Sequence, residues 1–429
     1  MKVRKKAVGT WLAVLLLVGS TVGCGKTETE EAGKGAGSQQ TQKVRVFLAD
    51  SLLVSKSKAE EITKKFEDEH PAIDVQFETV PDGNLFERLR VMVATDEMPD
   101  IYQINTGHTS AALANKGGYL YDLKEMESMQ NFSPAIQKAV QVDGKSAAFS
   151  LGIGVLGFHY NKELLAEVGF AQPPQTWEEL MEAGEKLKQK DKALLVYASK
   201  WQTSIGNVFH WTFGHHALKN PEFRKAYESN SVDWSKPENH AILLEGYKRF
   251  AELNKYVLSG SFTNEYQVAQ QAFVNGEAAM IMGGTWDGVQ IRNMAPDLKT
   301  AFMNLPYAKE QENPVIFTAE DGLAINAKSQ NLEAAKTFLN WLFSKEAYGQ
   351  IVAAKQNFSA QPGVGELDEV YAQVPKWLET NRTVPFANIG PMPDTVYIKL
   401  GETAQSTTFG SDVEKAVEQF VKEYTTKKK

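Results

Sequence analysis

Cysteine is nearly missing from this chain: of 429 residues only Cys24 carries a thiol. One thiol excludes an internal disulfide framework and a thiolate metal cluster. Histidine is sparse as well, with seven residues, and the one close pair, His215 and His216, consists of sequence neighbours whose side chains diverge on a helix or a strand. A shared metal is not expected there. Cations are outnumbered, 46 Lys and Arg against 53 Asp and Glu, and no Arg-rich or aromatic RNA motif appears, so nucleic acid is not an expected partner. The Lys427–Lys429 run reads as a solvated tail. HExxH, P-loop and GxSxG motifs are lacking. Gly152, Gly154 and Gly157 do give G-x-G-x-x-G, but around a predicted strand rather than between a strand and a following helix, which is the context dinucleotide binding needs. Glu320 and Asp321 are adjacent acids, and sequence neighbours rarely flank a glycosidic bond at the separation an acid and a base require. Neither a metal nor a cofactor is expected.

What is present begins at the N-terminus. Lys2, Arg4, Lys5 and Lys6 precede the apolar run Ala7–Val18, which is too short for a stable membrane span, so residues 1–23 have the form of a signal peptide. The Val22-Gly23-Cys24 ending resembles a bacterial lipobox, with Thr21 where that pattern favours leucine. The resemblance implies cleavage that leaves Cys24 as a lipid-modified, palmitate-bearing N-terminus on the extracytoplasmic face of the cell membrane. Residues 24–42 are polar and glycine-rich, with no large apolar group to offset the entropy of ordering, and read as a flexible tether. Loss of residues 1–23 removes four cations and no acid, taking the formal net charge from −7 to −11.

The remaining length calls for two domains. Lys43 to Ala49, the alternating Ile73, Val75 and Phe77, and Ile101 to Ile104 predict strands. Helical patterns intervene: Ile62 and Phe66 behind a Ser57/Glu60 capping box, then Leu85, Leu89 and Val93. Strands alternating with helices mean an α/β fold with a mostly parallel sheet. Ser133-Pro134 opens a helix, and an apolar segment through Val155, Leu156 and Phe158 ends at Tyr160 before a helix opening at Asn161. Gly169 stops that helix, Pro173-Pro174 forces an extended linker, and Thr176 with Glu179 caps the next. Further on, Leu194 to Ala198 predicts a strand, Thr203 to Gly214 an aromatic helix, Leu243, Tyr247 and Phe250 another. Ala278 to Met282 and Phe302 to Pro306 predict strands. Ser329 and Ser411 are the expected caps of two later helices.

The ordered series from Gly154 to Leu187 (GVLGFHYNKELLAEVGFAQPPQTWEELMEAGEKL) resembles the extracellular solute-binding proteins of ABC importers, in the large family that carries sugars. FEDEHPAIDVQF, VATDEMPDIYQI, GGYLYDL, AQQAFVNGEAAMIMGGTWDG and QNFSAQPGV add to the resemblance. It implies a periplasmic-binding-protein-like fold of two lobes (type II, maltose-binding-protein-like), interleaved by chain crossings near 150, 319 and 360 that form a hinge. The lobes would comprise 43–150 with 320–360, and 151–319 with 361–429. It further implies a monomer without enzymatic activity that captures a carbohydrate, with an oligosaccharide favoured by the aromatics, and passes it to permease subunits in the membrane.

In open α/β sheets the ligand crevice lies beyond the carboxyl ends of the strands. Sugars pack their C–H faces on aromatic rings and need oriented donors and acceptors for their hydroxyls. Those two requirements select Asp50 and Ser51, Asn105, Thr106 and His108, Trp201, Trp286 and Asp287, and Glu320 and Phe358 at the crossings. Trp177, in the first turn of a helix, and Trp211 are expected in the core. Two other readings stay open: the same fold binding a non-sugar solute such as glycerol phosphate, which calls for a basic cleft, and a secreted carbohydrate-active enzyme, which calls for two opposed acids.

Overall fold

The computed structural model describes residues 41–427 apart from 51, 54–55, 82–83, 107–108, 199–201, 230, 356–357, 367 and 386–393. The expected signal peptide, nearly all of the tether including Cys24, and the candidates Ser51, His108 and Trp201 lie outside the described residues.

Alternation along β1 (Gln42–Ala49) sends Val44, Val46 and Leu48 into one core and Phe47 and Ala49 into another on the opposite face, the period of two that a strand imposes. β2 (Ile73–Val80) and β3 (Ile101–Ile104) flank it in parallel, connected by helices Lys56–Glu69 and Leu85–Thr95. The first of these begins at Lys56, so Ser57 falls inside its opening turn rather than ahead of it. Ala59, Ile62 and Phe66 pack inward as their spacing requires. Ser133 caps the helix Pro134–Ala139 through its hydroxyl, which accepts from the Ile136 N–H at 3.4 Å. A hairpin of β4 (Gln141–Val142) and β5 (Lys145–Ser146) turns through Asp143 and Gly144, both at positive φ, and β6 (Phe149–Ser150) follows.

β7 (Ile153–Asn161) belongs to a second sheet, with β8 (Ala193–Val196), β9 (Ala278–Gly284), β10 (Thr300–Met303) and β11 (Val315–Ala319). The chain then returns: β12 (Gly322–Ile325) inserts antiparallel between β3 and β6, giving the first sheet the order β2-β1-β3-β12-β6. β13 (Thr383–Pro385) closes the second, ordered β13-β11-β7-β9-β8 with β10 also on β7. Each sheet is covered on both faces by apolar clusters, as the strand and helix alternation predicts. The sheets are mixed rather than mostly parallel: β12 runs antiparallel to both β3 and β6, and β7 antiparallel to β9, β10 and β11.

Local signals act as their chemistry demands. Asn161 accepts from the Glu163 and Leu164 amides at 2.9 and 3.1 Å, opening the helix Lys162–Glu167. Gly169 stops the turn after it at φ 92°. Thr176 accepts from Glu179 N at 3.1 Å, and the Glu179 carboxylate reaches back to Gln175 N at 2.6 Å. Behind that cap Trp177 is buried, donating from Nε1 to Glu252 at 2.8 Å under the Arg249 guanidinium, 4.8 Å from its ring.

Three further expectations need correction. The aromatic helix is two helices, Gln202–Asn207 and Phe209–Lys219, because Gly206 and Asn207, both poor helix formers, end the first. Ser329 caps nothing: its hydroxyl donates to Asp100 and accepts from Asn331 N, and the helix starts at Leu332. Asp412 takes the capping role expected of Ser411, its carboxylate accepting from Lys415 N at 3.0 Å, and a carboxylate there also complements the helix dipole.

Candidate functional site

Backbone passes between the two sheets at 150–153, 319–322 and 358–360, and hydrogen bonds lash the three passages together. Glu320 N donates to Gly152 O at 3.0 Å, Leu151 N to Asp321 O at 3.2 Å, and Ile153 N to Phe358 O at 2.9 Å. The Ser150 hydroxyl lies 2.8 Å from Gly152 O and 3.0 Å from Glu320 O, spanning two of them. Gly152 is bare for a reason: a Cβ there would meet Glu320 Oε2 at 2.8 Å and Phe358 O at 2.9 Å. The glycine spacing that mimics a dinucleotide loop thus serves close packing of strands. Gly154 continues it, where a Cβ would meet Thr318 Cγ2 at 2.6 Å and Trp286 Cζ3 at 2.9 Å.

Trp286 follows β9 in a single 3-10 turn, Thr285–Asp287. Its six-membered ring lies against the bare backbone of Gly154 and Gly284, either of which would collide with it if a Cβ were added. The indole Nε1 donates to the Tyr266 hydroxyl at 3.1 Å, and that hydroxyl donates to Asp287 Oδ1 at 2.6 Å. Gln270 Nε2 at 3.0 Å and Gly284 N at 2.9 Å complete the carboxylate's partners. Asp287 is buried, and loss of water pushes its carboxyl up to about 6 while these hydrogen bonds pull the other way. Tyr266 is 37% exposed as a residue but turns its hydroxyl inward, and burial of that hydroxyl beside the acid raises it well above the ordinary phenol range. The result is a partly exposed indole fixed in tilt and rotation by a tyrosine and a buried acid.

The first sheet contributes a second cluster at its carboxyl ends. Ala49 N donates to Gln103 Oε1, Gln103 Nε2 to Asp321 Oδ2 and Asn105 Nδ2 to Asp321 Oδ1, each at 2.7 Å. Asp50, at the end of β1, is exposed, and Thr106 donates to Ala139 O at 3.2 Å. Phe358 is buried against Tyr371, ring centres 5.1 Å apart, and the Tyr371 hydroxyl donates to Thr285 O at 2.8 Å. His159, directly beneath, is fully buried; burial lowers it to about 4, and its neutral ring donates from Nε2 to Gly284 O at 3.0 Å.

Of the described candidates, Trp286, Glu320 and Phe358 therefore meet around Gly152–Val155, with Asp287 behind the indole rather than beside it. Asn105 joins them through Asp321, while Asp50 and Thr106 sit at neighbouring strand ends. Sequence reasoning missed Tyr266 and Gln270, four apart on one helix face and both turned to Asp287, and it missed the clasp of Gln103 on Asp321. Both are pairings across loops or between strands, which local pattern does not encode. No group of three or more potential metal ligands occurs among the described residues, and no described helix is long and apolar enough to cross a membrane.

The family model described as bacterial extracellular solute-binding protein matches residues 50–349, well over half of the chain. The chain belongs to that family. Among relatives of this solute-binding protein, the multiple sugar-binding protein of Streptococcus mutans is 24% identical over 67% of this chain and 68% of its own length. Among solved structures, a chitin oligosaccharide binding protein aligns with TM-score 0.74 at 21% identity, over 89% of this chain and 98% of the other. RafE in complex with raffinose aligns with TM-score 0.73 at 18% identity, over the same shares. At these identities the likeness establishes a shared fold, and members of the family are binding proteins.

Proposed function

We propose that this protein captures a carbohydrate between two lobes and delivers it to the permease of an ABC importer, without chemical conversion. The observation that carries the reading is the Trp286 indole, laid on glycine backbone and held by Tyr266 and Asp287 at the place where the chain passes between the sheets. A fixed ring of this kind suits the apolar face of a sugar, and the carboxylates and carboxamides of Asp50, Asn105, Glu320 and Asp321 suit its hydroxyls. Neighbouring Thr106 extends the same surface, the buried crossing residue Phe358 backs it, and Ser51, His108 and Trp201 are proposed as further ligand contacts. Relatives and neighbours named for sugars, from a multiple sugar-binding protein to a raffinose complex, support the same ligand class.

In this reading the lobes are 43–150 with 320–360, and 151–319 with 361–429, and the three lashed passages are the hinge. Ligand stacked on one lobe and hydrogen-bonded to the other favours the closed form, and affinity is reduced by whatever closure costs. The protein acts as a monomer, held to the extracytoplasmic face of the membrane through lipid on Cys24 and a tether. A phosphorylated solute would need cations at the crossings, yet residues 103–106, 150–155, 283–287, 318–322 and 358–361 contain neither Lys nor Arg.

Thermal shift and tryptophan fluorescence against di- and oligosaccharides should give a saturable response with no product on prolonged incubation. Trp286→Ala should weaken binding roughly tenfold or more, while folded Trp177→Ala binds nearly as the parent does. A melting temperature indifferent to every sugar, or equal losses from the two substitutions, would remove the reading.

A further inference from the structure

At the far end of β7, about 20 Å along the strand from Gly154, a second group of aromatic and amide side chains surrounds a cavity of about 390 Å³. That volume falls within the ~300–1,000 Å³ range of small-molecule sites. Local sequence builds it. Pro173 and Pro174 hold the linker extended, so it stands off β10 instead of packing on it. Across the gap the helix Val374–Leu378 presents Gln373 and Trp377, and β7 and β10 supply Tyr160 and Phe302 as the wall. Phe302 and Trp377 are neighbours, ring centres 6.3 Å apart and inclined at 41°.

The polar groups here differ from those of a core. Asn304 is fully engaged, accepting from Trp211 Nε1 and donating to Pro314 O, both at 2.8 Å. By contrast the Tyr160 hydroxyl, Trp377 Nε1 and the carboxamides of Gln172 and Gln373 make no side-chain hydrogen bond among the described residues. Arg382, the one cation on the wall, already donates to Asn313 O at 3.3 Å, and no acid or lysine lines the cavity among the described residues. Ring faces and free neutral donors and acceptors suit a neutral polyhydroxylated ring, and a wall without an acid offers an amine no counter-charge.

We propose that this cavity is an accessory site for a single neutral sugar ring, separate from the surface around Trp286 and standing whether or not that surface binds carbohydrate. Saturation-transfer NMR on the full chain carrying Trp286→Ala tests it, with methyl α-glucoside, N-acetylglucosamine and xylose as probes. At least one of them should give a saturable signal. Adding Trp377→Ala should abolish that signal, and adding Gln172→Ala with Gln373→Ala, both exposed and so safe for folding, should weaken binding about fivefold or more. No signal from any of the three in the Trp286→Ala protein overturns the proposal. So does a signal that the paired glutamine substitution leaves unchanged, which keeps the test decisive even where Trp377→Ala fails to fold.

Discussion

Gly154→Ala is the sharpest probe of the indole platform. The added methyl would lie 2.6 Å from Thr318 Cγ2 and 2.9 Å from Trp286 Cζ3, closer than carbon atoms tolerate. Thr318 is held in β11, and Trp286 is held through Tyr266, so neither yields freely. Overpacking of this kind costs about 1–3 kcal/mol. For a body of this size that lowers the melting temperature by about 1–4 °C. Gly349→Ala is the matched control: it sits in the helix Lys345–Lys355, where a Cβ would meet Val364 Cγ1 at an ordinary 3.5 Å, so it should be neutral or stabilise by up to about 1 kcal/mol. Chemical denaturation of both variants, and of Gly154→Ala combined with Trp286→Ala, isolates the clash. Removing the indole should recover part of the loss, a coupling of about 0.5–3 kcal/mol. If Gly154→Ala matches the parent in stability, or the two substitutions simply add, the ring does not rest on that glycine.

Other perturbations address separate claims. Because burial raises the Asp287 carboxyl to about 6, the folded chain keeps a proton between roughly pH 4 and 6 that the unfolded chain has released. This group therefore adds stability as pH falls through that window and withholds it above, by an amount on the order of 3 kcal/mol. Asp287→Asn should flatten that slope in urea midpoints taken at pH 4.5 and 7.5, and an unchanged slope would place the titration elsewhere. Trp177→Ala should cost about 3–5 kcal/mol by emptying a core position and leaving Glu252 without its donor; a loss below about 1 kcal/mol in denaturant unfolding would contradict its burial. Thr176→Ala, which strips a cap from the same helix, should cost about 1 kcal/mol with no change in ligand affinity.

Where structure is decided by neighbours in sequence, the residues announce it. The alternation of β1, the Asn161 and Thr176 caps, the stop at Gly169 and the burial of Trp177 all follow from spacing and side-chain chemistry within a few residues. Capping roles drift where several candidates compete, as Ser411 and Asp412 show: the two residue types cap about equally well, and the carboxylate adds a favourable interaction with the helix dipole. The assignment of Gly322–Ile325 to the first sheet is different in kind. Its four apolar residues are buried on both faces, so composition alone gives no partner, and the choice rests on pairing with Ile101–Ile104, more than two hundred positions earlier. The candidate site divides the same way. Trp286 stands out because it follows two glycines at a strand end, whereas Tyr266 and Gln103 enter only once helix, strand and crossing are in place. Family resemblance supplied the crossings themselves, which no local period encodes.

Insertion of β12 between β3 and β6 also sets an order for biosynthesis. Emerging from the ribosome, the second sheet has five of its six strands by residue 319, whereas the first lacks an interior strand until residue 325 has appeared. Until then the edge of β3 offers unpaired amides and carbonyls to any passing strand. Late, long-range closure slows folding, and a nascent chain arrested short of Gly322 would hold a second sheet lacking only its edge strand β13 and a first sheet still open in its interior.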